Sequence, residues 1–294
     1  MIYIFTVCYN SPKFIQYQYL LLKKYLVNDF EYIIYDNTCT DTKGNKIYLT
    51  NDNIDNKNEL LKICDKYDIK VNEIPTKIYG VKLNDGSYCF PNYDPSTRAG
   101  KSISYACSDM ISKTEINDIL FLIDIDMFLI KKLDLFDKFG DNDIIGIIQN
   151  RYHINYFTNQ LFCFSKKNIK EKNIKHINFL PSKIDEINTD CGGNLSYLLN
   201  DQPELRCIYL SNNVTKENYI KYDIHHDDEY LDNLLKNYIS ENYSDKLLQY
   251  REYRCEIYMD SFLHFRAGSN WTGSTEYNYR INKLYDVLNT IINK

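Results

Sequence analysis

The sequence predicts an α/β protein with a mostly parallel central sheet flanked by helices. Three observations carry this expectation. Short, continuously apolar, β-prone runs recur through the first half, amphipathic helical stripes lie between them, and the two alternate as strand, helix, strand. No internal repeat is present and no linker rich in Pro, Gly or Ser divides the 294 residues. Residues 1–294 therefore read as one domain, with a first half over 1–130 and an elaborated second half over 131–294.

The elements follow in order. Ile2-Tyr3-Ile4-Phe5-Thr6-Val7 suits a strand buried on both faces. Asn10-Ser11-Pro12 supplies a cap residue and a proline at the first helical position, and Phe14, Tyr17, Leu21, Leu22 and Tyr25 follow at helical spacing, with Gln18 the one polar member. Tyr32 to Tyr35 is a second buried strand ending on Asp36-Asn37. Residues 38 to 56 are polar and irregular; a helix is expected over Glu59 to Tyr67 and a strand over Ile69 to Ile74. Pro75 to Pro95 carries three turn signals and no clear period, which predicts a long surface loop. Ile103, Ala106, Cys107, Met110 and Ile111 then form the stripe of an amphipathic helix, with Arg98 and Lys101 at its start. Ile119 to Ile123 is a strongly apolar strand terminated by Asp124-Ile125-Asp126.

The second half is less regular. Strands are expected over Ile144 to Ile148, Leu161 to Ser165 and Cys207 to Leu210, and a loop at Thr189 to Gly193 enters a helix at Leu195 to Leu199. Longer helices are expected over Glu229 to Tyr250 and Asn282 to Ile292.

A formal charge of -5 argues against a chain whose main task is gripping nucleic acid, because phosphate binding shows as a basic excess. Lys far outnumbers Arg, and Asn, Ile and Tyr are abundant, the bias of an AT-rich genome. The apolar opening Met1 to Val7 falls short of the roughly 20 residues that cross a bilayer, and it lacks the basic region and cleavage site of a signal peptide. The expectation is a soluble, cytoplasmic protein. Nine cysteines with no CxxC pair suggest reduced, mostly buried thiols rather than a zinc ribbon or a disulfide framework.

Asp124 and Asp126 carry the chemistry. They close the most hydrophobic strand, at the edge where open α/β sheets bind ligands. In an extended segment residues i and i+2 share a side, so the two carboxylates can converge on one cation. Two uncompensated carboxylates repel and resist desolvation, and a hard divalent cation removes both costs. The plain alternative is a pair of solvated turn residues.

In this order of elements the chain resembles the GT-A glycosyltransferases, which use nucleotide sugars. The residues that carry the resemblance are Thr6-Val7-Cys8-Tyr9-Asn10-Ser11 leaving the first strand, Tyr35-Asp36-Asn37 ending the second, Arg98-Ala99-Gly100-Lys101 opening a helix, and Phe121-Leu122-Ile123-Asp124-Ile125-Asp126. They span roughly residues 1 to 130. The resemblance implies a Rossmann-like sheet and places Thr6, Tyr9, Asp36, Arg98, Lys101 and Asp124 toward the donor nucleotide. It implies that Asp124 faces the ribose or the metal and that Asp126 binds the metal. Expelling a nucleoside diphosphate develops charge that a divalent cation and nearby cationic side chains stabilise, and a helix N-terminus adds backbone donors to Arg98 and Lys101.

Late in the chain, His264-Phe265-Arg266-Ala267-Gly268-Ser269-Asn270-Trp271 is the second informative stretch. The resemblance implies a third metal ligand there, for which His264 is the candidate, with a core histidine as the alternative. Imidazole with two carboxylates suits manganese, or failing that magnesium. Arg266 can face the diphosphate and Trp271 can stack on a sugar or base. Asp190, in the Asp190-Cys191-Gly192-Gly193 turn, resembles the acceptor-side acidic position and is the candidate general base, a helix cap being the alternative. His225-His226-Asp227-Asp228-Glu229 invites a metal reading but directly precedes a helix, where acidic residues complement the dipole.

Together these residues predict a metal-dependent glycosyltransferase that moves a sugar from a nucleoside diphosphate sugar, with UDP as the expected nucleotide, to a hydroxyl on a glycan or protein. No nucleic-acid partner and no membrane span are expected. A sugar-nucleotide nucleotidyltransferase is a rival, although Val7 to Phe14 lacks the glycines of its phosphate loop. A noncatalytic nucleotide- or glycan-binding module is the other.

Overall fold

The structure, a computed structural model, describes the chain apart from residues 39–41, 44, 45, 48–50, 85, 87, 90, 92, 214–227, 243–254 and 266–274. The elements run β1 (Ile2–Cys8), α1 (Pro12–Tyr25), β2 (Phe30–Asp36), β3 (Thr42–Lys43), β4 (Lys46–Ile47), α2 (Asn51–Tyr67), β5 (Lys70–Glu73), β6 (Val81–Lys82), β7 (Tyr88–Cys89), α3 (Pro95–Lys113) and β8 (Ile119–Ile123). They continue with β9 (Met127–Leu129), α4 (Leu135–Phe139), β10 (Ile144–Arg151), β11 (Ile154–Ser165), α5 (Glu171–Ile174), β12 (Lys183–Ile184), β13 (Ile187–Asn188), α6 (Leu195–Asp201) and β14 (Cys207–Leu210). The last are α7 (Glu229–Asn242), β15 (Cys255–Tyr258), β16 (Phe262–Phe265) and α8 (Thr275–Asn293).

These elements form two compact units whose segments alternate along the chain. One holds Met1–Lys13, Asp29–Asp124 and Phe139–Tyr209; the other holds Phe14–Asn28, Ile125–Lys138 and Leu210–Lys294. Neither coincides with the halves 1–130 and 131–294 expected from the sequence. The reason is that β10 and β11 join the sheet begun by β1, whereas α1 from Phe14 onward packs its aromatic face on residues of α8.

The first unit is built on a seven-stranded sheet in the order β14-β10-β11-β8-β1-β2-β5. Strand β1 pairs in parallel with β2 and β8, and β2 with β5, which confirms the parallel core expected from strand and helix alternation. Strands β11 and β10 then add in antiparallel register, Leu161 opposite Ile123 and Ile144 opposite Phe164. The apolar runs are buried throughout β8, as continuous hydrophobicity requires of a strand covered on both faces. Helix α3 packs on β1 and β8 through the stripe Ile103, Ala106, Cys107 and Met110, into one core with Phe5, Tyr35, Leu122 and Phe162. Asp94 caps α3, accepting from Thr97 N at 3.0 Å, with Pro95 at the first helical position.

The surface loop expected over residues 75–95 contains a 3-10 turn (Thr76–Tyr79) and the short β6–β7 pair. A buried network anchors it, in which Tyr79 Oη donates to Asn37 Oδ1 at 2.7 Å and Asn37 Nδ2 donates to Ser102 Oγ at 2.9 Å.

The second unit contains the antiparallel sheet β15-β16-β9. Phe14 meets Phe128 edge-on at 5.5 Å, Tyr17 stacks on Tyr285 at 5.1 Å, and Gln18 Nε2 donates to the Met127 carbonyl at 2.7 Å. Gln18, the polar member of the α1 stripe, is thus a buried tie to the start of β9. All eight described cysteines are free and most are buried, and burial pushes Cys64 and Cys255 up to about 12. No helix among the described residues is long and apolar enough to cross a membrane.

Candidate active site

In the first unit the ends of β1, β2 and β8 and the start of α3 carry most of the residues expected to meet a donor. Thr6 is wholly buried, and its hydroxyl donates to the Ile123 carbonyl at 3.0 Å. It ties β1 to β8 from inside. Asp36 is buried as well. Its Oδ1 accepts from Thr38 N at 3.0 Å and from the Thr38 hydroxyl, while Oδ2 lies 3.5 Å from Lys57 Nζ. Burial raises its pKa, against the Thr38 N–H and Lys57, which lower it. The carboxylate shapes the turn after β2 instead of pointing outward.

Tyr9 is half-buried in the turn that leaves β1, where Asn10 takes the left-handed region at φ 50°. Arg98 is half-buried in the first turns of α3. Lys101 is committed locally: its Nζ donates to the Ile78 carbonyl at 3.1 Å and lies 4.6 Å from the Tyr93 ring centre. The lysine therefore fastens the 76–79 turn to α3. Arg266 and Trp271 lie outside the described residues, as do His225, His226 and Asp227. Asp228 is a helix cap, its Oδ1 accepting from Tyr230 N at 2.9 Å and Leu231 N at 3.2 Å.

Asp124 leaves the carboxyl end of β8, where its N–H donates to Gln160 O at 2.8 Å and its Oδ2 accepts from Asn159 Nδ2 at 3.3 Å. Further along β11, at Phe157 and Thr158, the Asp190-Cys191-Gly192-Gly193 turn docks. Gly192 sits at φ +99°, and a side chain there would run into the Phe157 carbonyl. The glycine is what allows the turn to lie against the strand. Asp124 and the Asp190 turn are thereby held along one edge of the sheet, and the charge of Asp124 contributes to the raised pKa of Cys191, behind burial and Asp190.

Asp190 accepts three donors. The Ser96 hydroxyl and Cys191 N, the latter at 2.8 Å, reach Oδ1, and Arg151 Nη2 reaches Oδ2 at 3.1 Å. The cap of α6 is Asn194, so the cap alternative for Asp190 fails. A carboxylate offers about four lone-pair sites. Three are used, and the side chain stays 40% exposed. It lines a cavity of about 520 Å³ with Asp94, Ser96, Arg151, Lys183 and Asn188. No sequence signal marks Arg151, because the apolar run that predicts the strand stops at Ile148, whereas β10 continues to Arg151. It ends β10 beside a turn with Tyr152 at φ 58°, and its Nη1 also donates to Asn188 O at 2.9 Å.

The second unit holds Asp126 and His264. Residues 125–126 form the turn between β8 and β9, so the alternation of an extended strand does not govern them. Asp126 is 2% exposed and His264 likewise 2%, and Nε2 of the histidine lies 3.3 Å from Asp126 Oδ1. On the far side of the ring, Nδ1 lies 2.7 Å from Glu256 Oε2. Burial lowers the histidine pKa, but Asp126 and Glu256 outweigh it and lift the group to about 10. Among the described residues no group of three or more His, Cys, Asp or Glu is placed to hold a metal ion. Carboxylate oxygen and imidazole nitrogen are donor types that a borderline divalent cation takes, and Asp126 Oδ1 and His264 Nε2 meet in a buried place.

The fold so described is α/β with a mostly parallel central sheet and flanking helices. It is similar to solved glycosyltransferases. One is the mannosyltransferase PcManGT from Pyrobaculum calidifontis, in complex with GDP-Man and Mn2+, with 10% identity and a TM-score of 0.42 over 80% of this chain and 63% of that one. A second is the galactosyltransferase LgtC in complex with donor and acceptor sugar analogs, with 8% identity and a TM-score of 0.45 over 97% and 96% of the two chains. A third is the glycosyltransferase GlyE of Streptococcus pneumoniae TIGR4, with 12% identity and a TM-score of 0.42 over 99% and 62%. The chain thus spans less than two thirds of PcManGT and GlyE and nearly all of LgtC. No protein-family model matches it, and no curated protein matches it in sequence.

Proposed function

We propose that the chain is a divalent-metal-dependent glycosyltransferase taking a sugar from a nucleoside diphosphate sugar, UDP being the expected nucleotide, to a hydroxyl acceptor. The observation that carries the reading is the buried meeting of Asp126 Oδ1 and His264 Nε2 at 3.3 Å, directly after the strand that ends on Asp124. Asp126 and His264 would hold the cation, and Asp124 keeps the ribose or metal role expected from the sequence. When bound, the cation supplies positive charge to the leaving diphosphate.

The chain's own residues would do the rest. Tyr9 and Arg98 are assigned to the donor, with Arg98 countering phosphate charge, and Arg266 and Trp271 keep the donor roles expected from the sequence. In an inverting transfer the acceptor oxygen bonds to the anomeric carbon as the bond from that carbon to the diphosphate oxygen breaks. The acceptor's proton passes to Asp190 Oδ2, the carboxylate oxygen with the smaller share of donors. Ser96 and Arg151 hold that carboxylate still, which is what a base within hydrogen-bond reach requires.

A second reading has its own observation. Both ring nitrogens of His264 face carboxylates, the arrangement of a buried imidazolium that ties β15 and β16 to the turn before β9. A thermal-shift screen of nucleotide sugars separates the two. Stabilisation by a UDP-sugar that grows with manganese and vanishes with EDTA supports the enzyme. Equal shifts under both conditions for every common nucleotide sugar support the structural ion.

A further inference from the structure

We infer that Glu256 is the positioning residue for His264, fixing the imidazole so that Nε2 is the nitrogen offered to a divalent cation on the Asp126 side. The inference rests on the metal-dependent reading above. Glu256 and His264 stand directly opposite each other in the antiparallel pair β15–β16, and Glu256 Oε2 lies 2.7 Å from Nδ1. The same carboxylate oxygen accepts from Tyr258 Oη at 3.0 Å, so the Glu256 side chain is itself held in one place.

On its other edge β16 is tied to β9, with His264 opposite Met127 and Phe265 N donating to the Asp126 carbonyl at 2.9 Å. The backbone thus fixes where the ring and Asp126 start, and Glu256 fixes how the ring is turned. An imidazole has two nitrogens on different edges, and here each meets a different carboxylate. Glu256 on Nδ1 is on the wrong edge to share an ion with Nε2. It is in the right place to accept a hydrogen bond from Nδ1–H. A histidine ligand commonly donates its second N–H to a carboxylate in this way, which sets tautomer and orientation.

The test is titration of Mn2+ alone into the full chain by calorimetry, for the wild type and for His264→Ala, Glu256→Gln, Glu256→Ala and Tyr258→Phe. Circular dichroism and melting of each metal-free variant accompany the titrations. Expected are manganese binding by the wild type, its loss in His264→Ala, and affinity about 10- to 100-fold weaker in Glu256→Gln and Glu256→Ala, the usual worth of such a partner. Tyr258→Phe should fall between these and the wild type. If His264→Ala loses manganese while both Glu256 variants bind it as the wild type does, the positioning role is wrong and the metal reading stands. If the wild type takes up no manganese, or His264→Ala binds it undiminished, the metal reading fails and this inference with it. Lower melting temperatures with unchanged manganese affinity would make Glu256 a fold residue only. Glu256→Gln preserves shape and answers the question if Glu256→Ala does not fold.

Discussion

Asp126 and His264 meet at 3.3 Å with almost no access to solvent, so the carboxylate is part of a buried charge pair as well as a candidate ligand. Asp126→Asn should then do two things. It should abolish manganese-dependent transfer, and it should lower the stability of the metal-free protein by about 3 kcal/mol, the low end for removing one partner of a buried pair, because Glu256 still faces the ring. Urea denaturation in EDTA measures the second effect. An unchanged midpoint together with retained turnover would remove Asp126 from both roles.

The pair was half legible in the sequence. Asp124, Asp126 and His264 stand out as residue types, and β8 and α3 can be read because their signals are local: an unbroken apolar run, and a helical stripe. Glu256 cannot. Its role comes from facing His264 across β15–β16, whose turn places Met259 and Asp260 at φ 56° and 54° without the glycine that usually announces such a turn. The pairing of β16 with β9 is non-local as well, joining Leu263 to Phe128. The burial of Asp126 is hidden for the same reason, since His264, which packs on it, comes from far along the chain.

The proton on His264 gives a pH signature. The unfolded histidine titrates near 6.5 and the folded one near 10, so its stabilising contribution is complete below about pH 6.5 and is lost as pH rises toward 10. In EDTA the stability difference between wild type and His264→Gln should shrink steadily across that window. Manganese must displace the same proton, so its affinity should increase over the same range. A difference in stability that stays flat from pH 6.5 to 10 would show that the folded ring is neutral.

Gly192→Ala tests the geometry of the Asp190 turn. The residue sits at φ +99° against the Phe157 carbonyl, so a methyl group is both strained and obstructed. A cost of at least about 1–3 kcal/mol is expected from the backbone alone. Denaturation measures it, and a neutral substitution would mean that the turn does not lie against β11 as described.

Asp190→Asn separates proton transfer from binding. Asp190 lines a cavity among Ser96, Arg151 and Asn188, while Asp124 leaves the carboxyl end of β8, so the acceptor and donor contacts proposed above fall to different groups. The amide keeps the shape and can still accept from Ser96 and Cys191 N, but it cannot take a proton. Transfer should fall about 10²-fold or more while manganese-dependent binding of the nucleotide sugar is unchanged. The acidic limb of the pH–rate profile should disappear with the group that it reports. Arg151→Ala offers a control, because it removes a donor to Oδ2 and leaves the carboxylate in place; rate should fall less, and the acidic limb should persist. Loss of donor binding in Asp190→Asn would assign the residue to the nucleotide site or the fold. Full activity would point to a retaining transfer, in which no base acts on the acceptor from this position.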